Sequence, residues 1–168
     1  MKLKVPHYYQ TINDYACGPT CIRMVIDYFL KKRGEKSKKN DWESIVQDTM
    51  NGSIKNVFGT NKKNLKKALQ KRGFSCRNLV GNTQTRLHNL YVAISNGTPA
   101  ILGCRADVGN LRDAHYIVLT GINKYMKYIY INDPYPKKPS KIKLDSFLKN
   151  GQKISWGNSK WGIIVDKT

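Results

Sequence analysis

The sequence is poor in acidic residues and contains no long hydrophobic run. It has 11 Asp and Glu residues against 30 Lys and Arg residues, for a formal net charge of +19. The longest apolar stretch, residues 21–30, is interrupted by Arg23 and Asp27. It reaches about half of the length that a helix needs to cross a bilayer. We therefore expect no transmembrane segment and a strongly basic surface.

Cysteine is also scarce, and no pair of cysteines has the CxxC spacing of a zinc site. The four cysteines are too few for a disulfide scaffold in a chain of 168 residues, which can bury a core without them. The N-terminus lacks the apolar segment of a conventional secretory signal. We expect reduced thiols, no metal or organic cofactor, and a single domain over residues 1–168. The expected location is the cytoplasm, or outside the cell after export without a conventional signal peptide.

The positive charge is concentrated in residues 31–80, which carry fourteen basic and four acidic residues. A second basic run covers residues 137–143. Such a surface attracts an acidic inhibitor protein, an anionic membrane or nucleic acid. Nucleic acid is the less favoured partner, because lysine dominates and no aromatic-interleaved RNA-binding motif is present. A solvated face without any partner is the simplest alternative.

Helical patterns fill the first half of the chain and strand patterns the second half. Capping and periodicity signals predict helices over 20–30, from Asn40, over 60–72 with Thr60 as the N-cap, and over 83–95. Extended segments are predicted over 5–10, 74–80, 99–104, 115–122, 125–132 and 161–165, with a short helix over 144–149. Helices followed by an antiparallel sheet indicate an α+β fold.

Cys17 is the strongest candidate for a chemical role. It stands directly before Gly18 and Pro19, at the start of a helix that is apolar on nearly all sides. Free N–H groups and the positive dipole end of a helix stabilise a thiolate at this position. Cys21 has the mid-helix position typical of an inert buried cysteine. On position alone, a structural role for Cys17 is the alternative.

A nucleophilic thiolate needs a base, and His115 is the best placed of the three histidines. It opens a predicted buried strand, where an imidazole is held rigidly at the edge of a cleft. His7 lies in an extended segment and His88 on a predicted helix surface. A satisfied core histidine is the alternative for His115.

Two further side chains can complete such a site. Asp133 ends the strand that follows His115 and can orient its ring, although Asp113 and Asn132 are competing candidates and a plain turn is the alternative. Gln10 precedes Cys17 by seven residues. Its side-chain amide can donate to a developing oxyanion together with the Cys17 N–H.

Four short blocks carry a family resemblance. They are VPHYYQ at 5–10, ACGPTC at 16–21, HYIVLTG at 115–121 and YINDP at 130–134. In this order they resemble the bacteriocin-processing, papain-like cysteine peptidases that cleave double-glycine leaders, in their stand-alone branch. The resemblance implies a papain-like fold acting on a peptide or protein substrate. It also implies roles for Cys17 as nucleophile, His115 as general base and acid, Asp133 as orienting carboxylate and Gln10 as oxyanion donor.

Other functions remain compatible with these residues. An acyl-enzyme on Cys17 also serves deamidation or acyl transfer, and a small basic hydrolase is also typical of an exported toxin domain. The alternative from another class is a non-catalytic module that binds through its basic face. Salt-dependent binding that survives Cys17→Ala would favour that module.

Overall fold

The computed structural model describes residues 1–10, 16–36, 41–50, 59–108, 111–135 and 138–167, without the side chains of 107, 108 and 111–113. The helices of these ranges are α1 (Cys17–Lys32), α2 (Asp41–Thr49), α3 (Lys62–Gln70), α4 (Thr83–Ser95) and α5 (Leu144–Leu148). The strands are β1 (Phe74–Asn78), β2 (Ala100–Val108), β3 (Leu111–Ile122), β4 (Tyr128–Asn132), β5 (Ser140–Lys143), β6 (Ile154–Ser155) and β7 (Gly162–Lys167).

The strands form one antiparallel sheet in the order β1-β7-β2-β3-β4-β5, with β6 paired to β2. The long β2–β3 hairpin is its centre, where Ile101, Ile117 and Val118 are fully buried. Helices lead the chain and the sheet is antiparallel, so the predicted α+β class is confirmed.

Helix α1 is the central helix and packs against β3. Its side chains Ile22, Met24 and Val25 have no exposed surface, as expected for a helix that is apolar on several faces. The helix ends at Lys32, and Gly34 follows with a φ of 72°. The N–H of Glu35 then reaches back to the Leu30 carbonyl over 2.9 Å, which closes a glycine-dependent helix end.

The extended N-terminal segment runs beside the centre of the sheet. The Leu3 N–H donates to the Thr120 carbonyl over 2.7 Å, and the Gln10 N–H donates to the Pro134 carbonyl over 2.9 Å. The chain is thereby fixed to β3 just before the predicted segment 5–10 and to the turn after β4 at its end. No helix in the described part of the chain is long and apolar enough to cross a membrane.

One predicted cap is wrong. Helix α3 begins one residue later than a Thr60 cap requires, since Asn61 is the N-cap and its side chain accepts from the Asn64 N–H over 2.8 Å. Thr60 is instead buried against Gly18 at the start of α1. The predicted cap Asn40 of α2 lies outside the described residues.

Candidate active site

Cys17 is the first residue of α1 and is 6% exposed. The helix has no side-chain cap at Ala16. Pro19 has no N–H, and the N–H of Thr20 is bonded to the Ala16 carbonyl at 3.1 Å. The backbone N–H groups of Cys17 and Gly18 are therefore the ones at this helix start that can meet a bound ligand.

Gly18 is in close contact with Thr60. A Cβ atom at position 18 would lie 2.5 Å from the Thr60 Cβ atom, which no real contact allows. The Thr60 Oγ1 atom is buried and has no hydrogen-bond partner among the described residues. Glycine at 18 therefore allows the helix start and the segment before α3 to approach each other beside the sulfur.

His115 and Asp133 form a buried pair. The Nε2 atom of His115 lies 2.6 Å from the Asp133 Oδ1 atom, and both side chains are at least nine-tenths buried. The Tyr135 N–H also donates to Asp133 Oδ1 over 3.0 Å and helps to fix the carboxylate. Asp133 reaches the ring because it follows β4, which pairs with β3 from Asn132 opposite Val118.

The Cys17 sulfur is the second hydrogen-bond partner of the His115 ring. Burial alone would lower the pKa of His115, but the bonds to Asp133 and Cys17 raise it to about 10. The raised pKa keeps the ring protonated at neutral pH, beside the Cys17 sulfur and the Asp133 carboxylate.

Gln10 is 4% exposed and is held beside the same turn through the bond from its N–H to the Pro134 carbonyl. The connection from Gln10 to Cys17, residues 11–15, lies outside the described residues. The structure thus brings Cys17, His115 and Asp133 into one hydrogen-bonded chain and fixes the backbone of Gln10 next to Asp133.

The two competing candidates for orienting the His115 ring, Asn132 and Asp113, differ from Asp133. The side-chain amide of Asn132 donates to the carbonyls of Val5 and Pro6, over 3.1 and 3.0 Å, and not to the ring of His115. The side chain of Asp113 lies outside the described residues. Among the remaining histidines, His7 lies with its Nε2 atom 2.8 Å from the backbone carbonyl oxygen of Asp133. It therefore helps to fix the turn that carries Asp133.

The other cysteines differ from Cys17 in environment. All four are free thiols. Burial, with the nearby charges of Cys17 and Asp133, raises the pKa of Cys21 and of Cys104 well above the usual value. Burial likewise raises the pKa of Cys76 to about 11. These three thiols are therefore neutral at physiological pH and are poor nucleophiles.

A cleft of about 590 Å³ opens beside His115. Tyr116 and Trp161 line it, with their rings 5.7 Å apart in an edge-to-face arrangement. A Cβ atom at Gly103 would lie 3.1 Å from Trp161 Cε3, so the absent side chain lets the indole lie close to β2. The Trp156 indole N–H donates to the Trp161 carbonyl over 3.0 Å and fixes the loop.

Sequence reasoning missed this wall of the cleft. Its signal was the SWGNSKWG stretch at 155–162, in which two tryptophans stand among glycines and polar residues outside any regular pattern. Bulky aromatic residues in a loop need a packing partner, and here the loop folds over β2 and β3.

The comparisons with known proteins agree with this geometry. A family model described as the Peptidase_C39 like family matches residues 2–161. A double glycine motif protease from an AMS/PCAT transporter, solved in complex with the leader peptide, has a TM-score of 0.67 at 23% identity, covering 99% of this chain and 94% of that chain. No curated protein matches the sequence.

Two further solved structures share the fold. The peptidase domain of Streptococcus ComA, a bi-functional ABC transporter of a quorum-sensing pathway, has a TM-score of 0.64 at 17% identity, with 98% and 99% of the two chains covered. A Bacillus anthracis protein described as a C39-like peptidase has a TM-score of 0.66 at 17% identity, with 100% and 98% covered. With a family model over nearly its whole length and this fold, the chain belongs to the Peptidase_C39 like family of papain-like cysteine peptidases.

Proposed function

We propose that the protein hydrolyses an amide bond of a peptide or protein substrate, with Cys17 as nucleophile and His115, Asp133 and Gln10 as its partners. The observation that carries this proposal is the buried chain of hydrogen bonds from the Cys17 sulfur through His115 to Asp133, with 2.6 Å between Nε2 and Oδ1. Burying charged groups is costly unless they are paired. A thiol, an imidazole and a carboxylate in one hydrogen-bonded chain, with the imidazole lining a cleft, is the arrangement that nucleophilic catalysis needs.

In the first half of the reaction, the Cys17 thiolate attacks the carbonyl carbon of the scissile bond. The carbonyl oxygen becomes an oxyanion, which the Gln10 amide and the Cys17 N–H stabilise. An N–H proton of the His115 ring passes to the leaving amine, the C–N bond breaks, and a thioester remains on Cys17. Asp133 keeps the ring oriented and stabilises its positive charge until this transfer.

In the second half, His115 takes a proton from a water molecule, which attacks the thioester. The C–S bond breaks, the product leaves as a carboxylic acid that gives its proton to the solvent, and the thiolate and imidazolium form again. Within the site, His115 gives one proton to the leaving amine and takes one from the attacking water. The steps need no group beyond the four side chains, one backbone N–H and water.

The first substrates to test are peptides with a Gly-Gly sequence before the scissile bond. The support for this choice is that one protein of the same fold is a double glycine motif protease with a leader peptide bound. The cleft beside His115 is large enough for several peptide residues, at about 590 Å³.

A fluorogenic Gly-Gly peptide series tests the proposal, with wild type, Cys17→Ala and Cys76→Ala compared by turnover and by mass spectrometry of the products. We expect two peptide fragments from wild type and from Cys76→Ala, and a loss of at least about a thousandfold in Cys17→Ala. Cys76 is the matched control because it is a half-buried thiol at β1, on the edge of the sheet. Full activity in Cys17→Ala, or a mass gain of deamidation without cleavage, would overturn the proposal.

A further inference from the structure

A second depression of about 420 Å³ lies next to the catalytic cleft. We call it the lysine groove; the residues that line it are Lys62, Lys63, Lys66, Lys67, Gln70, Asn78 and Trp161. The lysine groove runs along helix α3. There Lys62 and Lys66 are four residues apart, as are Lys63 and Lys67, so the members of each pair are neighbours on the helix surface. No carboxylate is among these lining residues.

The lysine groove and the catalytic cleft are continuous. Lys62 and Trp161 line both, and the Lys62 ammonium lies 5.4 Å from the centre of the Trp161 ring. A chain that leaves the cleft past Trp161 therefore passes directly onto α3. This continuity connects the charged surface to His115, at the inner end of the cleft.

Two carboxylates on the elements beside α3 and β1 are engaged elsewhere, Asp48 in α2 and Asp166 in β7. Asp48 pairs with Lys71 at 2.9 Å and with Arg72 at 2.8 Å. Asp166 accepts from the Thr98 hydroxyl over 2.9 Å and lies 3.8 Å from Arg77. The four lysines of the groove thus present concentrated positive charge next to the site, with no described carboxylate paired to them.

We propose that the lysine groove binds an acidic stretch of the peptide substrate that lies outside the scissile bond. This proposal rests on the proposed function and adds a specificity determinant to it. Lys62 and Lys66 are one helical step of four residues apart, about 6 Å along the axis. In an extended peptide, alternate residues are about 6.6 Å apart. An extended segment with a carboxylate at every second position therefore matches the lysine spacing.

A peptide fits this surface better than a nucleic acid does. Single-stranded nucleic acids bind by stacking bases on aromatic rings as well as by charge. Trp161 is the aromatic residue of the groove, and its ring is already in contact with Tyr116 and Gly103 and lies under the Lys62 ammonium. The groove therefore supplies charge without a platform for stacking.

Binding can be measured without turnover, by fluorescence anisotropy with the Cys17→Ala protein. The probes are two labelled peptides that share a Gly-Gly core and differ only in an extension with Glu, or with Gln, at alternate positions. Three lysines are changed together in that background, Lys63→Gln, Lys66→Gln and Lys67→Gln. Lys62 is left in place because it also lines the catalytic cleft.

The matched control changes Lys124, Lys127 and Lys143 to Gln in the same background. It removes the same charge at the β4–β5 edge of the sheet, away from α3, which packs against β1 at the other edge. We expect the groove variant to bind the Glu peptide about tenfold more weakly, as the loss of three exposed ion pairs allows, and the control to bind it within about twofold of the parent. The Gln peptide should bind all three proteins equally.

Each alternative has its own outcome. Equal weakening by both triple variants would refute the groove and indicate a net-charge effect. Equal affinity for the Glu and Gln peptides would refute it by showing that charge does not contribute to binding. Tighter binding of a single-stranded oligonucleotide than of the Glu peptide, lost in the groove variant, would identify nucleic acid and not a peptide as the ligand of the groove.

Cleavage by the protein with Cys17 intact separates the two proposals. Selective binding without cleavage refutes hydrolysis, and cleavage of both peptides at one rate refutes the groove.

Discussion

The side-chain amide of Asn132 donates to the carbonyl of Pro6 over 3.0 Å, which joins the end of β4 to the extended N-terminal segment. Asp133 is the next residue after Asn132, and Gln10 lies at the end of that segment. The segments that carry Asp133 and Gln10 are therefore joined by the Asn132 hydrogen bond, although Asn132 itself takes no part in the proposed chemistry. Asn132 is a positioning residue in this arrangement.

We expect Asn132→Ala to lower kcat/KM by about tenfold, since a small misplacement of catalytic groups has effects of this order. It should also cost about 1–3 kcal/mol in the free energy of unfolding, because the buried Val5 carbonyl and the part-buried Pro6 carbonyl lose their donor. Asn123→Ala is the control. It removes a side-chain bond to the Tyr128 N–H, of 2.8 Å, at the far end of the same hairpin. Loss of stability without loss of activity in Asn132→Ala would contradict the positioning role.

The pH dependence of activity should show an alkaline limb near pH 10. Hydrogen bonds to Asp133 and Cys17 overcome the effect of burial and raise the pKa of His115 to about 10, so the proton for the leaving amine is lost only above that pH. In Asp133→Asn the bond that raises the pKa of His115 is weakened, so burial lowers that pKa. The alkaline limb should then move to lower pH, and kcat should fall. The measurement is kcat/KM against pH for both proteins, with imidazole NMR as an independent titration. An unmoved limb in Asp133→Asn would refute the coupling.

The same pair should make stability depend on pH in a definite direction. A group whose pKa is raised on folding stabilises the folded state fully below its ordinary value, here 6.5, and this contribution is lost as the pH rises through about 10. The difference in free energy of unfolding between wild type and Asp133→Asn should therefore shrink from pH 6.5 to pH 10. Urea titrations of both proteins at the two pH values measure this. The other titrating groups are common to both and cancel in the difference.

The contact between Gly18 and Thr60 predicts a compensating pair of substitutions. Gly18→Ala should cost about 1–3 kcal/mol of stability and slow the alkylation of Cys17, because the new Cβ atom would lie 2.5 Å from the Thr60 Cβ atom. Thr60→Gly removes the obstructing atoms, so the double variant should recover most of both losses. Circular dichroism melts and alkylation rates of the four proteins give the coupling energy. Additive effects would mean that the two residues do not interact.

Reactivity towards iodoacetamide should rank the four thiols. We expect Cys17 to react at least about tenfold faster than Cys76 at pH 7, since thiolates and not thiols are alkylated. Cys21 and Cys104 should be slower still, because each is buried with a pKa well above the usual value. Peptide mapping after short labelling times gives the four rates. Equal labelling of all four in the folded protein would count against Cys17 as the nucleophile.

The central part of the fold could be predicted from the sequence because its patterns are long. The β-branched and aromatic run at 115–122 lies within strand β3, and the run at 125–132 includes the whole of strand β4. The helix after Gly18-Pro19 is α1, although it begins at Cys17 itself and not at Thr20. In α1 and β3, burial on more than one face leaves a strong hydrophobic signal, and in β4 buried isoleucines alternate with half-buried tyrosines.

Other features could not be predicted because their determinants are tertiary. Thr60 and Asn61 both cap helices well, and the choice between them depends on the contact of Thr60 with Gly18. Strand β5 is an exposed, lysine-rich edge strand without a hydrophobic run, and it forms only because it pairs with β4. For the candidate site, the sequence identified residues that the fold brings together, while the Trp161 wall and the lysine groove depend on contacts between distant segments.

The distance along the chain between the sulfur and its base has a consequence for protein synthesis. Cys17 leaves the ribosome early, whereas His115 and Asp133 come from strands that are made much later and must pair before α1 can pack on them. A partly made chain therefore carries an ordinary thiol and cannot cut its neighbours. Under the proposed mechanism, hydrolytic competence would arise only after the β3–β4 hairpin has been made and has packed on α1.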